Sequence, residues 1–144
     1  MRFIRKWDIL AENNHLDFPS EIAITSLRVF AGLSMALAHG AKKIPIPEKF
    51  LDYLSETGFP FPYVVAWLAA LFEFLGGILL ALGLYTRLAA FFIFIVMATA
   101  ALYAHRHDPF SKAELAHIYG FVALLFIAFG GTRFSIDRLL RKKS

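Results

Sequence analysis

The sequence predicts an all-α integral membrane protein, a four-helix bundle with a short amphipathic helix on its outer surface between helices 1 and 2. Three observations predict this class. The 144 residues are 58% hydrophobic and only 18% charged, whereas soluble domains average about 45–50% and about 25%. The mean hydropathy is +0.60. Four apolar stretches, residues 22–41, 63–84, 88–105 and 113–130, each have the roughly 17–25 residues that cross a bilayer as a helix. We expect a single domain, residues 1–144.

Helix breakers and caps support these four spans. The six prolines all lie outside the apolar stretches, as expected of residues that interrupt helices. Ser20 is the predicted N-cap of the first span. Ser111 and Glu114 have the spacing of a capping box for the fourth span, and Gly130 is the predicted end of that span. Backbone amides in lipid must bond within their own segment, so the spans are helices.

The link between the first two spans contains an amphipathic stretch, residues 47–57. Phe50, Leu51 and Leu54 share one helical face, and the acidic residues lie on the other faces. This pattern predicts a short helix that lies on the outer surface. Such a helix either packs against the bundle or covers a cavity between the spans.

Composition excludes several classes of function. The chain has no cysteine, which excludes disulfides, thiolate metal sites, Fe–S clusters and thiol nucleophiles. The apolar content excludes intrinsic disorder. The formal net charge is +4, but the basic residues lie mainly between and beyond the spans, so we expect a bilayer rather than nucleic acid as the partner.

The distribution of Lys and Arg predicts the orientation. Nine basic residues lie on the face that holds both ends of the chain, and five lie on the other face. The positive-inside rule therefore predicts a multi-pass protein of the cell (inner) membrane with both termini in the cytoplasm. The stretch 3–10, with apolar and basic residues mixed, is expected to lie at the membrane interface. We expect no cleavable signal peptide.

Two charged residues are predicted near the middle of the membrane. Arg28 is eight residues beyond Ser20, and Glu73 is ten residues beyond Tyr63. At about 1.5 Å per residue both fall near the middle of a core about 30 Å thick. Because a charge at this depth needs a partner or a cavity, we predict a contact between Arg28 and Glu73, direct or through one water. The pair either orients two helices or forms a proton-linked or anion-binding site.

A second group of polar residues is predicted at the outer mouth of the bundle. Its members are candidates for ligand binding or a proton path: His39, Lys43, His105, Glu114 and His117. Imidazole binds metals and carries protons near neutral pH. However, no second helix repeats the Glu-x-x-His spacing that di-iron bundles require, so we expect no metal site. Haem is disfavoured, a quinone or another small ligand is a candidate, and ordinary interfacial hydrogen bonding remains the alternative.

Several motifs, in order along the chain, resemble the DoxX family of small bacterial membrane proteins. The first helix carries RVFAGL at residues 28–33 and HGAKK at 39–43. The turn before the second helix is GFPFP at 58–62. The second helix and the link after it carry EFLGG at 73–77 and LGLYTR at 82–87, and the chain closes with GGTRFSID at 130–137. The resemblance spans roughly residues 24–140.

The resemblance implies a four-helix membrane protein that serves redox chemistry. Relatives resemble the quinone-linked subunit of a thiosulfate-oxidising enzyme or a membrane partner of redox-stress proteins. We therefore expect a redox-linked membrane subunit, accessory to a membrane or soluble oxidoreductase rather than a stand-alone enzyme, with quinone as the candidate cofactor. The alternative is a non-catalytic assembly or scaffold protein, which would form a homo-oligomer or a stable complex. Small-solute transport is a weaker alternative, because the chain shows neither inverted repeats nor broken helices.

Overall fold

The computed structural model describes residues 16–141, and all regular structure within that range is helical. The helices are α1 (Phe18–Ser34), α2 (Glu48–Glu56), α3 (Pro62–Leu82), α4 (Thr86–Thr99), α5 (Phe110–Phe129) and α6 (Ile136–Arg141). Helix α1 continues through a π-helical turn at Met35–Gly40 and a 3-10 turn at Ala41–Lys43, and α4 continues through a π-helical turn at Ala100–Ala104. The predicted interfacial stretch 3–10 lies outside the described residues.

Within residues 16–141, four helices are long and apolar enough to cross a membrane. They are Phe18–Lys43, Pro62–Leu82, Thr86–Ala104 and Phe110–Phe129, with 26, 21, 19 and 20 residues. Large apolar side chains cover the outside of the bundle: Phe30, Leu102 and Phe121 are 70%, 75% and 71% exposed. Such an apolar exterior suits lipid. The predicted class, a multi-pass membrane bundle, is confirmed.

The amphipathic helix between the first two spans is also confirmed. Helix α2 buries Leu54, half-buries Phe50 and Leu51, and leaves Glu48 and Asp52 exposed. The Tyr53 hydroxyl donates a hydrogen bond of 3.2 Å to the carbonyl of Ala104 at the end of α4. Helix α2 therefore packs on one end of the bundle, which we call the α2 end. The opposite end, where α1 begins and α5 ends, is the termini end.

Two predicted helix starts are wrong by a few residues. The N-cap of α1 is Asp17 rather than Ser20, and that of α5 is Pro109, so the predicted capping box at Ser111 and Glu114 is absent. Neither N-cap side chain bonds to the backbone of its helix. Pro19 lies in the first turn of α1, where its fixed φ and missing N–H cost nothing, so the helix starts earlier than the apolar stretch. Helix α5 ends at Gly130, as predicted.

Glycines bring α1 and α3 into backbone contact. A Cβ atom added to Gly77 would lie 2.6 Å from the carbonyl oxygen of Gly32 and 2.7 Å from the amide nitrogen of Ala36. Only glycine fits at such distances. Gly32 and Gly77 therefore let the two helices meet closely, as small residues do in other membrane interfaces.

The core between α1, α4 and α5 is apolar. Met35, Ile93 and Phe126 are among its buried residues. Both π-helical turns lie toward the α2 end of their helices. A π turn holds one more residue than an α turn, so it rotates the side chains after it by about 100° relative to a regular helix. In α1 this rotation acts on His39 and Lys43, the polar residues at its end.

Candidate functional site

The central polar feature of the membrane region is an ion pair between α1 and α3. The Lys43 ammonium donates hydrogen bonds of 2.5 and 2.6 Å to the two carboxylate oxygens of Glu73. The Glu73 side chain is 2% exposed, and that of Lys43 is 24% exposed. The Phe50 ring of α2 covers the ammonium, with 5.0 Å from Nζ to the ring centroid. The ion pair therefore places a satisfied carboxylate inside the bundle and a partly accessible cation at its rim.

His39 lies near this ion pair. It is one turn before Lys43 in α1, within electrostatic range of both Lys43 and Glu73. Its ring meets the Tyr119 ring of α5 edge-on, with 5.5 Å between the centroids. His39 thus packs against Tyr119 of α5 beside the Lys43–Glu73 ion pair.

The predicted direct contact between Arg28 and Glu73 is wrong. The Arg28 guanidinium donates instead to three backbone carbonyls, those of Leu80 at 2.6 Å, Ala81 at 2.7 Å and Phe134 at 3.0 Å. Residues 80 and 81 lie seven and eight residues beyond Glu73, roughly 11 Å along α3. Ten residues of α1 precede Arg28, whereas α3 ends at Leu82, one residue beyond Ala81. The beginning of α1 therefore extends past the end of α3, and Arg28 lies beside that end rather than at the level of Glu73.

Arg28 acts as a cap for the carbonyl end of α3. The last carbonyls of a helix have no partner within it and carry partial negative charge, which a buried cation satisfies. Gly83 makes room for the guanidinium: a Cβ atom there would lie 2.6 Å from its Nη1. The Nε atom of Arg28 is buried without a hydrogen-bond partner, so this cation is held by the Nη atoms alone.

The closing segment 130–137 supplies further partners at the termini end. The backbone N–H of Arg133 donates to Glu21 at 2.9 Å, and the Thr25 hydroxyl donates to that of Thr132 at 2.8 Å. Together with the carbonyl of Phe134, these groups give Glu21, Thr25 and the Nη2 atom of Arg28 partners in the closing segment. Glu21 is 7% exposed, so it lies inside the fold although the hydropathy pattern left it out of the span.

Asp137 caps the start of α4. Its carboxylate accepts hydrogen bonds from the backbone N–H of Tyr85 at 2.7 Å and of Thr86 at 2.9 Å, and from the Thr86 hydroxyl at 2.6 Å. Tyr85 has φ 47°, a left-handed conformation that is costly for a bulky residue. The three bonds to Asp137 hold this strained turn in place.

His105 belongs to a surface cluster in the link between α4 and α5, outside the buried core of the bundle. Its Nδ1 lies 2.9 Å from Oδ2 of Asp108, and the Lys112 ammonium donates to Oδ1 of Asp108 at 3.1 Å. The hydrogen bonds from His105 and Lys112 lower the pKa of Asp108 below its ordinary value. This cluster ties the link between α4 and α5 to the first turn of α5.

His117 lies at an open pocket between α4 and α5. The pocket has a volume of about 230 Å³ and is lined by ten residues, of which His117 is the only one with a nitrogen or oxygen in its side chain. The His117 Nδ1 lies 2.8 Å from the carbonyl of Ala113, and the Phe110 ring lies 5.5 Å away between centroids. Glu114, which was predicted beside His117, is exposed.

The predicted outer-mouth cluster is thus divided by the structure. Lys43 and His39 lie together around Glu73, His105 lies in the α4–α5 link, and His117 faces the pocket. Within residues 16–141, no three His, Asp or Glu side chains come together in a way that would hold a metal ion. These sites are hydrogen-bonding or ion-pairing centres: Lys43 with Glu73, His105 and Lys112 with Asp108, and His117 with the carbonyl of Ala113.

Three contacts were not predicted from the sequence: those of Lys43 with Glu73, of Glu21 and of Asp137. The signal for Lys43 was present, because it lies four residues, about one helical turn, beyond His39. Asp137 also had a signal, since it ends the GGTRFSID motif. No periodicity marks Glu21, whose partner is a backbone N–H in an irregular segment.

Comparison with known proteins supports the family suggested by the motifs. A protein of Haemophilus influenzae, described only as uncharacterized, is 29% identical over 137 residues, which cover 90% of this chain and 99% of that protein. No solved structure matches the chain significantly. The DoxX family model matches residues 23–106, a range that holds Arg28, Lys43 and Glu73 and ends before His117. Since this match covers more than half of the chain, the protein belongs to the DoxX family.

Proposed function

We propose that this protein is a redox-linked membrane subunit that binds the head group of a membrane quinone between α4 and α5. The observation that carries the proposal is the pocket of about 230 Å³ with one imidazole in an otherwise apolar lining. A cavity of about 150 Å³ accommodates benzene, so this pocket has room for one substituted ring. Apolar pockets with a few polar groups are the usual form of small-ligand sites.

The position of the pocket suits a lipid-soluble ligand. Leu102 and Phe121, at its edge, are 75% and 71% exposed on the outside of the bundle. A ring can enter from the hydrocarbon between these side chains while its isoprenoid tail stays in lipid. Phe94 and Phe121 offer aromatic faces from both helices, and offset or edge contacts between rings are favourable. His117 supplies the one polar contact.

The redox partner and the membrane belong to the same proposal. The resemblance to quinone-linked subunits supports a membrane or soluble oxidoreductase as the partner that exchanges electrons with the bound quinone. The excess of basic residues on the face of the termini supports the inner membrane with both termini in the cytoplasm. The Lys43–Glu73 and Arg28 contacts hold α1 and α3 together and leave the pocket on the other two spans.

The test is a binding titration on the purified protein in lipid nanodiscs, with decylubiquinone and menadione as probes. We expect saturable binding of at least one quinone. Ala101→Leu adds volume inside the pocket and should weaken binding about tenfold or more. Ala38→Leu is the matched control, because Ala38 is an exposed alanine in the π-helical turn of α1.

Two outcomes would contradict the quinone site. One is the absence of saturable binding by both probes. The other is equal binding by the unmodified protein and Ala101→Leu, with both showing the same thermal unfolding. Either outcome would favour the non-catalytic assembly role instead.

A further inference from the structure

The hydrogen bond of His117 to its own helix determines which ring nitrogen carries the proton. The Nδ1 atom lies 2.8 Å from the carbonyl oxygen of Ala113. A carbonyl oxygen has lone pairs and no hydrogen, so the Nδ1 atom is the donor in this contact. In the neutral imidazole the other nitrogen, Nε2, then has no hydrogen and is an acceptor.

Nothing else in the pocket competes with this acceptor. The other nine lining residues are alanine, glycine, leucine, phenylalanine and methionine. None of their side chains carries a strong hydrogen-bond donor. Backbone N–H groups in the middle of α5 are already bonded within the helix. The Nε2 acceptor of His117 is therefore the one side-chain nitrogen or oxygen that the lining residues offer for a hydrogen bond with a ligand ring.

We infer that the pocket binds the reduced, hydroxyl-bearing form of the quinone, the hydroquinone, in preference to the oxidised form. A hydroquinone hydroxyl donates a hydrogen bond to Nε2. A quinone carbonyl oxygen is itself an acceptor, so against Nε2 neither atom would have a donor. Unpaired polar atoms in an apolar site are costly. This inference rests on the proposed quinone site and adds to it the oxidation state of the ligand and the atom that recognises it.

The inference assigns His117 a specific role. Its Nε2 atom holds the hydroxyl proton of the bound hydroquinone in a hydrogen bond, and its Nδ1–H anchors the ring to Ala113. Sites that bond a ligand hydroxyl discriminate strongly against analogues that lack it, because the site's own polar group is then left unpaired. The expected preference for the hydroquinone is about three- to tenfold, the effect of one hydrogen bond.

The experiment compares three ligands that share one ring: decylubiquinone, its hydroquinone and the dimethyl ether of that hydroquinone. Each is titrated anaerobically at pH 8 into the unmodified protein in nanodiscs. We expect the hydroquinone to bind about three- to tenfold more tightly than the other two. In His117→Phe, which keeps a ring but lacks the acceptor, the three affinities should become equal. Glu114→Gln, one turn away and exposed, should keep the preference.

The outcomes separate the inference from the proposed function. Equal binding of all three ligands by the unmodified protein would overturn the hydroquinone preference and leave the quinone site standing. Tighter binding of the quinone would do the same. No binding of any ligand would overturn both. If His117→Phe does not fold, the dimethyl ether still tests the inference on the unmodified protein, because it removes the donor from the ligand instead.

Discussion

Lys43 and Glu73 form a buried ion pair across the α1–α3 interface, with both carboxylate oxygens within 2.6 Å of one ammonium. The other cation of this interface, Arg28, binds the carbonyl end of α3. Lys43 and Arg28 thus hold α3 at two levels, Lys43 through the carboxylate of Glu73 and Arg28 through the backbone. Between these levels lies the glycine contact of Gly32 with Gly77.

Removing one partner of the ion pair should lower the free energy of unfolding. Lys43→Met leaves the Glu73 carboxylate buried without a partner, and such orphan charges cost about 3–5 kcal/mol in soluble proteins. We expect a matching fall in the free energy of unfolding, measured by thermal or denaturant unfolding in a mild detergent. The double variant Lys43→Met with Glu73→Leu should recover much of the loss. Arg28→Met with Glu73→Leu should not, because these two residues do not touch.

Arg28→Lys should destabilise the protein although the charge is kept. Two nitrogens of the guanidinium reach three carbonyls, and a lysine ammonium, a single point on a flexible chain, cannot reproduce this fork. We expect a loss of about 1.5–3 kcal/mol, the value of one hydrogen bond to a charged group. Thermal unfolding of Arg28→Lys, compared with that of Arg28→Met and of the unmodified protein, measures this loss. Equal stability of Arg28→Lys and the unmodified protein would contradict the capping role.

Asp137→Ala should loosen the start of α4. The substitution removes the acceptor of the Tyr85 and Thr86 amides and of the Thr86 hydroxyl, and loss of a helix cap costs about 0.5–2 kcal/mol. Hydrogen exchange at Tyr85 and Thr86 should accelerate, while the middle of α4 stays protected. Asp52→Ala, an exposed carboxylate on α2, is the control and should stay within about 0.5 kcal/mol. Unchanged exchange at residues 85 and 86 would argue against the cap.

Gly77→Ala and Gly120→Ala should have opposite effects. At Gly77 the new methyl group would collide with the backbone of α1, so the helices must separate, and we expect a loss of about 1–3 kcal/mol. At Gly120 it would lie 3.7 Å from the Cβ atom of Met97, an ordinary contact. There alanine should stabilise α5 by about 0.5–1 kcal/mol, because it restricts the unfolded chain. Similar unfolding of both variants would contradict the close approach of α1 and α3.

The link between α4 and α5 should respond to acid through Asp108. Hydrogen bonds from His105 and Lys112 lower the pKa of this carboxyl in the folded protein, so the folded state holds its proton less tightly than the unfolded state. The resulting stabilisation is present above the unfolded pKa of about 3.9 and is lost as the pH falls through the lower folded value. Asp108→Asn should therefore reduce the dependence of stability on pH in the acid range. A pH dependence identical to that of the unmodified protein would count against this cluster.

The arrangement of spans could be predicted from the sequence because it depends on length and hydropathy. The four membrane helices and α2 each match an apolar or amphipathic stretch, and prolines and glycines lie near their ends. The observed helix bounds differ from the predicted ones where a charged residue lies in the helix and forms hydrogen bonds inside the protein. Glu21 and Lys43 both fall outside the predicted first span, and both are in the observed one.

The partners of the polar residues could not be predicted in the same way. The level of a residue depends on how far neighbouring helices extend past one another, and α1 begins ten residues before Arg28, while α3 ends one residue after Ala81. Side-chain direction depends on regular winding, and the π turn at Met35–Gly40 changes it before Lys43. Arg28 binds backbone carbonyls, which every residue has and no sequence pattern marks. The predicted partner of Glu73 was therefore wrong although the need for a partner was right.

The bonds between α1 and the closing segment have a consequence for how the protein is made. Arg28 and Phe134 are 106 residues apart in the chain, which corresponds to roughly 5–20 seconds of synthesis. For most of that interval α1 is complete, while the backbone groups of residues 133 and 134 that bond Glu21 and Arg28 are not yet made. In a chain interrupted before residue 132, Glu21 and Thr25 lack their partners in the closing segment, and Arg28 keeps only the carbonyls of Leu80 and Ala81. Membrane quality control that recognises exposed polar groups would therefore separate unfinished chains from finished ones.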